Sequence, residues 1–241
     1  MTLAWSLLAL CLASCIQGLL GFGFGIVAMT TLALGYDVIH ASGVVNLTGL
    51  VVTVGMLWRL RAAVRWRIAA RIVPGIAMGV GVGVFALRSL DADLLLRVLG
   101  TVVVALAGWN LAALRLAHRE PPLWIDLGVG LIGGTLGGAF NTGGPPLIAH
   151  LYRRPEPPDA LRGTLQALFL SISLLRAPVA AAQGLMGLAV WEHAAWGVPV
   201  VLLGQAGGTW LARRVPADRF RRMAWAGLGV LGLVLLLRGS G

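Results

Sequence analysis

Eight apolar runs follow one another along the chain, separated by short loops. The runs are residues 3–35, 41–58, 72–88, 94–114, 124–152, 160–182, 191–212 and 220–238. One helical crossing of a bilayer needs about 20 apolar residues, and six of the runs are close to that length. The pattern therefore predicts an all-α polytopic membrane protein, with residues 1–241 forming a single transmembrane domain.

The first and fifth runs are too long for one straight crossing. Residues 3–35 would extend about 50 Å as a helix, against a hydrocarbon thickness of about 30 Å. Glycine-rich segments interrupt both runs, at residues 18–25 and 133–146. Glycine and proline at this density break helices, and a broken backbone inside a membrane needs protein or a water-filled cavity to satisfy it. We therefore expect each long run to form a broken, re-entrant hairpin.

The two interrupted runs belong to an internal repeat. A shift of 120 residues brings similar residues into register: Gly18 with Gly138, Gly23 with Gly143, Asn46 with Gln166 and Thr53 with Ser173. The sequence thus predicts a first repeat over residues 1–118 and a second over 119–241. Each repeat would contain one hairpin and three transmembrane helices.

Composition and charge agree with a membrane location. Hydrophobic residues make up 58% of the chain and charged residues 12%, with a mean hydropathy of +0.87. In a soluble domain about 45–50% of residues are apolar and about 25% are charged. The net charge is +10, and all 19 basic residues are arginines. Many of them lie in the short loops, where basic residues set membrane orientation. We expect the lipid bilayer, and no nucleic acid, as a partner.

The arginines also decide the predicted topology. If all eight runs crossed the membrane once, eight loop arginines would lie on one side of the membrane and nine on the other. If runs 3–35 and 124–152 are hairpins, 15 arginines share one side and only Arg88 and Arg238 lie on the other, as the positive-inside rule requires. Three crossings per half is an odd number, so the two repeats are predicted to be inverted. Inverted repeats with broken helices are typical of secondary transporters.

Two motifs carry a family resemblance. The first is Gly21-Phe22-Gly23-Phe24-Gly25, and the second combines Asn141-Thr142-Gly143-Gly144-Pro145-Pro146 with Asp159-Ala160-Leu161-Arg162-Gly163-Thr164. From about residue 4 to residue 237, the chain resembles the sulfite exporter TauE/SafE family. Phe22 and Phe24 depart from the plainer glycine run common in the first repeat. The resemblance implies an inner-membrane carrier for small anions such as sulfite, sulfoacetate or toluenesulfonate.

We expect the substrate site where the two breaks meet. Glycines let backbone N–H groups approach an anion closely. Arg176 shares a helix face with Gln166 and Ser173 and would supply positive charge, because an ionisable residue inside an apolar run is a functional candidate. The alternative is that Arg176 snorkels to the membrane interface. The predicted substrate-binding residues are Gly21, Gly23, Gly25, Asn46, Asn141, Thr142, Gly143, Gly144, Pro145, Gln166, Ser173 and Arg176.

Other polar and small residues have predicted structural roles. Asp126 is expected to cap the fifth run, with proton coupling as the alternative. His150 and His193 are expected at the membrane interface, and the histidines lack the spacing of metal ligands. Glycines of the third run are expected to allow close helix packing; they are Gly79, Gly81 and Gly83. We expect no catalytic residue, metal or cofactor.

The predicted function is secondary transport of a small anion across the bacterial inner membrane. The anion would be a sulfur oxyanion, an organosulfonate or a similar carboxylate. Coupling to protons or sodium and a homo-oligomeric state stay open. A channel or a non-transporting accessory protein is the alternative. An intramembrane enzyme ranks third, because the sequence has no nucleophile-elbow, zinc-protease or P-loop motif.

The inverted topology predicts the result of cysteine labelling. In a background without Cys11 and Cys15, single cysteines near residue 65 and at 215–218 should both be shielded from an impermeant thiol reagent outside intact cells. Both termini should be accessible from outside. Outside labelling at 215–218 with protection near residue 65 would contradict the inverted arrangement.

Overall fold

The structure is a computed structural model that describes residues 3–111 and 121–212, together with residues 214, 230, 233, 234 and 237. Within these residues there are nine α-helices, one short 3₁₀ helix and no strands, which confirms the predicted all-α fold. The helices are α1 Leu3–Leu20, α2 Phe24–Leu32, α3 Val38–Leu60, α4 Trp66–Ser89, α5 Ala92–Leu111, α6 Leu123–Phe140, α7 Gly144–Leu151, α8 Pro158–Ala182 and α9 Leu188–Leu211. The predicted helix at 220–238 lies almost wholly outside the described residues.

Five of these helices are long and apolar enough to cross a membrane. They are α1, α3 with the 3₁₀ turn Arg61–Ala63 that follows it, α4, α6 and α8. Their exposed side chains include Trp58, Met78, Phe85 and Trp124. Large apolar side chains on the outer surface suit a bundle that is surrounded by lipid.

Both predicted breaks occur. Gly21, Phe22 and Gly23 separate α1 from α2, and both glycines have positive φ angles, 86° and 107°. Asn141 ends α6 with a φ of 55°, in the left-handed region that asparagine tolerates better than most residues. Neither α1 nor α6 can therefore continue through its break as a regular helix.

The two ends of each broken segment lie close together. Tyr36 follows α2, and its ring packs 5.0 Å from that of His193, which is hydrogen-bonded to Ser6 of α1 at 2.7 Å. In the other segment, His150 near the end of α7 lies 2.5 Å from Asp126 in the first turn of α6. Each segment is thus a hairpin that returns to the end of the bundle where it begins.

The hairpins open at opposite ends of α3. His40, in the first turn of α3, contacts His193 at 3.0 Å, beside the open end of the first hairpin. Arg65, just after the other end of α3, pairs with Glu156, just after α7, at 2.7 Å. Because α3 has 23 residues, these ends are about 34 Å apart.

The helix bounds recur along the chain with an offset of 120 residues. α1 starts at residue 3 and α6 at 123; α2 and α7 start at 24 and 144; α3 and α8 start at 38 and 158. The most extensive helix contacts join helices of the first half to helices of the second half. α1 packs most extensively on α9 and α4 on α6, while α3 packs on α8 between them.

Glycines bring α4 and α6 into backbone contact. A Cβ atom at Gly75, Gly79 or Gly83 would overlap a carbonyl oxygen of α6, at Leu127, Leu131 or Thr135 respectively. Gly130, Gly134 and Gly138 of α6 meet the α4 backbone in the same way. The predicted packing role is therefore confirmed for Gly79 and Gly83. The prediction is wrong for Gly81, where an added Cβ atom would have no neighbour within 4 Å. Gly81 is two residues from Gly79 and therefore lies on the opposite face of the helix.

This contrast predicts the effect of two matched substitutions. Gly79→Ala should lower thermal stability in detergent, because overpacking typically costs about 1–3 kcal/mol. Gly81→Ala, on the same helix, should leave the unfolding midpoint unchanged or slightly raised, because alanine favours helix over glycine. Equal effects of the two substitutions on thermal unfolding would contradict the packing described for α4 and α6.

Candidate anion site between the helix breaks

A cavity of about 50 Å³ lies between the two breaks. Its wall includes Gly23, Phe24 and Gly25 from the first break and Asn141, Gly143 and Gly144 from the second. The breaks touch, since a Cβ atom at Gly25 would overlap the carbonyl oxygen of Asn141. Residues of α3 and α8 complete the wall, among them Val45, Gly49, Thr53, Phe169, Ile172 and Ser173.

Two helix N-termini converge on this cavity. Phe24 is the first residue of α2 and Gly144 the first residue of α7, and both line the wall. The first turn of a helix presents backbone N–H groups without intrahelical partners and carries partial positive charge. Such an end is a natural site for an anion. The second N-terminus has fewer donors, because Pro145 and Pro146 have no N–H group.

The first break is held by two glutamines. Gln17 Oε1 accepts a hydrogen bond from the Phe24 N–H at 3.1 Å, and Gln17 Nε2 donates to Gln166 Oε1 at 3.3 Å. Gln166 Nε2 in turn donates to the Gly21 carbonyl at 2.6 Å. Both glutamines are buried, so this chain satisfies polar groups that the break would otherwise leave exposed in an apolar interior.

The second break is held by different residues. Asn141 Nδ2 donates to the Ser42 carbonyl at 2.9 Å, and Ser42 Oγ donates to the Ala139 carbonyl at 2.9 Å. Arg176 Nε donates to the Gly138 carbonyl at 2.8 Å, and Arg176 Nη2 donates to Ser42 Oγ. Ser42 and Arg176 thus join α3 and α8 to the last turn of α6.

The structure places half of the predicted site residues in the cavity wall. Gly23, Gly25, Asn141, Gly143, Gly144 and Ser173 line it. Gly21, Asn46, Thr142, Pro145, Gln166 and Arg176 do not line it. Gln166 reaches the wall only through Gln17, and Thr142 bonds the Leu136 carbonyl. Pro145 is buried beside the wall at the start of α7.

Arg176 lies behind the wall and is fully buried, with 1% of its surface exposed. The alternative that it snorkels to the membrane interface is therefore wrong. No carboxylate of the described residues pairs with it, and its Nη1 atom has no hydrogen-bond partner among them. Its charge is therefore not neutralised by an ion pair within the described part of the chain.

Asn46 is the second unpaired polar group near the breaks. It lies on α3 one turn after Ser42 and is completely buried, yet neither its amide nitrogen nor its amide oxygen has a partner among the described residues. Burial of an unsatisfied amide is costly in a protein interior.

Two aromatic contacts show how the halves differ. Phe24 of α2 packs against Gly49 of α3, and Phe169 of α8 packs against Gly144 of α7. The 120-residue offset relates Phe24 to Gly144 and Gly49 to Phe169. In the first half the phenylalanine belongs to the short helix α2 and the glycine to the long helix α3. In the second half the glycine belongs to the short helix α7 and the phenylalanine to the long helix α8. Both rings line the cavity.

Sequence reasoning missed three polar residues at the breaks. Gln17 and Ser42 carry no motif, although both fall on helices flanking a break. The topology prediction counts Arg162 among the loop arginines, but it lies in α8, where its side chain packs against Gly21. The Arg162 Nε atom is buried and has no hydrogen-bond partner among the described residues. Arg162 follows Ser42 by 120 residues, and Ser42 holds the second break. The internal repeat could therefore have indicated that Arg162 lies at the first break.

The predicted helix cap at Asp126 is wrong, because the carboxylate pairs with side chains instead. It is completely buried, and its Oδ1 atom lies 2.5 Å from both His150 Nε2 and Arg154 Nη2. Arg71 Nε lies 2.7 Å from Oδ2 in an ion-pair contact that lacks hydrogen-bond geometry. Pro122 occupies the N-cap position of α6. His150 is thus a buried partner of Asp126.

The equivalent position in the first hairpin holds a serine and two histidines instead of a carboxylate. Ser6, which is offset by 120 from Asp126, bonds His193 at 2.7 Å, and His193 bonds His40 at 3.0 Å. The Tyr36 ring stacks on His40. His193 is buried rather than at an exposed interface. The described residues contain no group of three or more acidic, histidine or cysteine side chains that could hold a metal ion.

The family follows from comparison with known proteins. The family model described as Sulfite exporter TauE/SafE matches residues 6–235. The chain belongs to this family. This membership confirms the resemblance that the two motifs indicate. In the structure Gly21–Gly25 and Asn141–Pro146 contain the two breaks around the cavity.

Two relatives from bacteria extend the comparison. The chain is 36% identical over 233 residues to a protein of Cupriavidus necator named probable sulfite/organosulfonate exporter TauE, covering 92% of this chain and 88% of the relative. It is 32% identical over 162 residues to a protein of Comamonas testosteroni named probable inner membrane transporter protein TsaS, covering 66% and 67%. Both names describe transporters, which confirms the prediction of an inner-membrane transporter rather than an enzyme. No solved structure matches the chain.

Two asparagines near the cavity should respond differently to loss of the amide. Asn46→Leu should leave the thermal unfolding midpoint unchanged or raised, because it removes buried polar atoms without partners. Asn141→Leu should lower the midpoint by several degrees, because it removes the bond to Ser42 and places a leucine at a positive φ angle. A similar loss of stability in both variants would show that Asn46 has a structural partner.

Proposed function

We propose that this protein carries a small oxyanion, of the sulfite or organosulfonate class, across the bacterial inner membrane. The family and the name of the Cupriavidus necator relative support this substrate class. The single observation that carries the proposal is the convergence of the α2 and α7 N-termini on one cavity between the breaks. Its volume of about 50 Å³ suits a small anion, since one water needs about 10–15 Å³ on the same measure.

In the proposed site, backbone donors orient the anion. The first turns of α2 and α7 contribute to the cavity wall. The Phe24 N–H already bonds Gln17 and the Asn141 amide nitrogen already bonds Ser42. The proposed donors are therefore the remaining N–H groups of these turns and the hydroxyl groups of Ser173 and Thr53 in the wall. A strongly hydrated anion loses several hydrogen bonds to water on entry, so the site has to replace them. The phenyl rings of Phe24 and Phe169 limit the size of the occupant.

Arg176 is the proposed main counter-charge. It is buried behind the second break without a carboxylate partner, one turn from Ser173 in the wall. A positive charge in a low-dielectric interior acts over a longer range than in water. The hydrogen bonds to Gly138 and Ser42 hold the guanidinium in place. Its Nη1 atom and the amide of Asn46 have no hydrogen-bond partner in the described part of the chain, so the charge acts on the cavity from behind the wall.

We further propose that residues 1–118 and 119–241 are inverted repeats. The recurrence of the helix bounds after 120 residues supports this arrangement, as does the opening of the two hairpins at opposite ends of α3. Each hairpin then brings one helix N-terminus to the same cavity from its own side of the membrane. This is the general site geometry of transporters with discontinuous helices.

Flux measurements in proteoliposomes test the proposal. Wild-type protein should give saturable flux of at least one anion among sulfite, thiosulfate, sulfoacetate and short carboxylates. Ser173→Ala removes a donor from the wall and should raise KM by about tenfold or more, because a hydrogen bond to a charged group contributes about 1.5–3 kcal/mol. Ser171→Ala is the matched control, because Ser171 lies on the same helix, outside the wall, and bonds only the Ala167 carbonyl.

Arg176 variants separate a counter-charge from a structural anchor. Arg176→Lys keeps the charge but loses the planar fork, so affinity should fall while flux at high substrate persists. Arg176→Met should nearly abolish flux in protein that still inserts and elutes as a single species. Wild-type flux and affinity in Arg176→Met would remove Arg176 from the mechanism. Absence of saturable flux of every anion, with a copurifying partner at equal stoichiometry, would favour an accessory role.

A further inference from the structure

A second, larger cavity lies at the start of α4. Its volume is about 510 Å³. Four arginines line it, and the other residues in its wall are apolar apart from Glu156: Arg65, Arg67, Arg71, Arg154, Val64, Trp66, Ile68 and Glu156. We call this cavity the basic vestibule. It shares no wall residue with the cavity between the breaks.

Positive charge exceeds negative charge in the vestibule. Glu156 pairs with Arg65 at 2.7 Å. Behind the wall, Asp126 pairs with both Arg71 and Arg154. Four guanidinium groups are thus opposed by two carboxylates, and no ion pair or hydrogen bond of the Arg67 side chain is found among the described residues.

Two further features point to an anion. Arg154 is 3% exposed, and its Nε atom has no hydrogen-bond partner among the described residues. The N-terminus of α4 opens at the same place and has no side-chain cap. A 24-residue helix directs the positive end of its dipole there.

Arginines that only set membrane orientation need no such arrangement. They act from exposed loops, and a cavity adds nothing to their effect. In the vestibule the guanidinium of Arg154 is buried, which costs desolvation free energy. Asp126 offsets this cost only in part, because it is shared with Arg71. An anion with several oxygens would complete the pairing, because guanidinium groups bind such oxygens in a bidentate manner.

We propose that the basic vestibule binds an oxyanion with a tetrahedral or pyramidal centre, at a site separate from the cavity between the breaks. The chemistry fits a free sulfur oxyanion or sulfonate and also the phosphate of an anionic lipid headgroup. The exposed ring of Trp66 in the wall suits the interfacial depth at which such headgroups lie.

Arg67→Gln tests this site without disturbing a contact found in the structure. The matched control is Arg153→Gln, which removes the same charge one residue from Arg154 but outside the vestibule wall. Purified protein in a neutral detergent is titrated with inorganic sulfate at constant ionic strength, with chloride as the replacement salt, and thermal unfolding is recorded. A second arm measures retention of phosphatidylglycerol against phosphatidylcholine by native mass spectrometry.

We expect the sulfate concentration for half-maximal stabilisation, or the retention of phosphatidylglycerol, to change about five- to tenfold in Arg67→Gln and to stay near wild type in Arg153→Gln. Arg67→Lys should recover part of the effect. Response in the sulfate arm identifies a free anion, and response in the lipid arm alone identifies a headgroup. Equal behaviour of Arg67→Gln and Arg153→Gln in both arms overturns the proposal. Neither readout measures flux, so a failed transport assay leaves this result unaffected.

Discussion

The backbone polar groups at two broken helices are the constraint on which the rest of this structure depends. Donors and acceptors freed inside an apolar bundle must find partners there. Gln17 and Gln166 provide them at Gly21–Phe24, while Ser42, Asn141 and Arg176 provide them at Gly138–Asn141. Equivalent breaks are thus stabilised by non-equivalent side chains. Asn46, the counterpart of Gln166, has no partner in the described part of the chain, where Ser42 and Arg176 hold the second break.

The same asymmetry gives the proposed site its charge. A strictly symmetric pair of repeats would place either two arginines or none at the positions of Met56 and Arg176, which are related by the 120-residue offset. One buried guanidinium attracts an anion without holding it as strongly as two would. A carrier needs this balance, because a substrate that is bound too tightly is not released. The helix N-termini supply the remaining attraction as partial charges.

The sequence predicted the fold well because its signals are local. Run lengths predicted the helix bounds within three residues, except that α4 starts at Trp66 rather than at residue 72. Glycine density placed the breaks within residues 18–25 and 133–146, where the structure has them at Gly21–Gly23 and Asn141–Gly143. The side-chain partners were not predictable in this way. Asp126 looked like a cap because it starts a run, and its partner Arg71 lies 55 residues away in the chain. Ser42 and Arg176, 134 residues apart, meet only because α3 packs on α8. Such pairs depend on helix packing, which periodicity does not encode.

The packing also limits how the cavity could open to each side of the membrane. Gly204 and Gly208 of α9 contact the carbonyls of Cys11 and Cys15 on α1, and Gly79 and Gly134 join α4 to α6 through backbone contacts. The first hairpin is therefore attached to α9 and the second to α4, in each case a helix of the other half of the chain. Rocking of one sequence half against the other would break both contacts, in which small residues provide the close approach that stabilises helices in lipid. Movement of α1 with α9 against α4 with α6 would preserve them. If the cavity opens alternately to the two sides of the membrane, the two helix pairs have to move apart at α3 and α8. Asn46, Ser173 and Arg176 lie on these two helices.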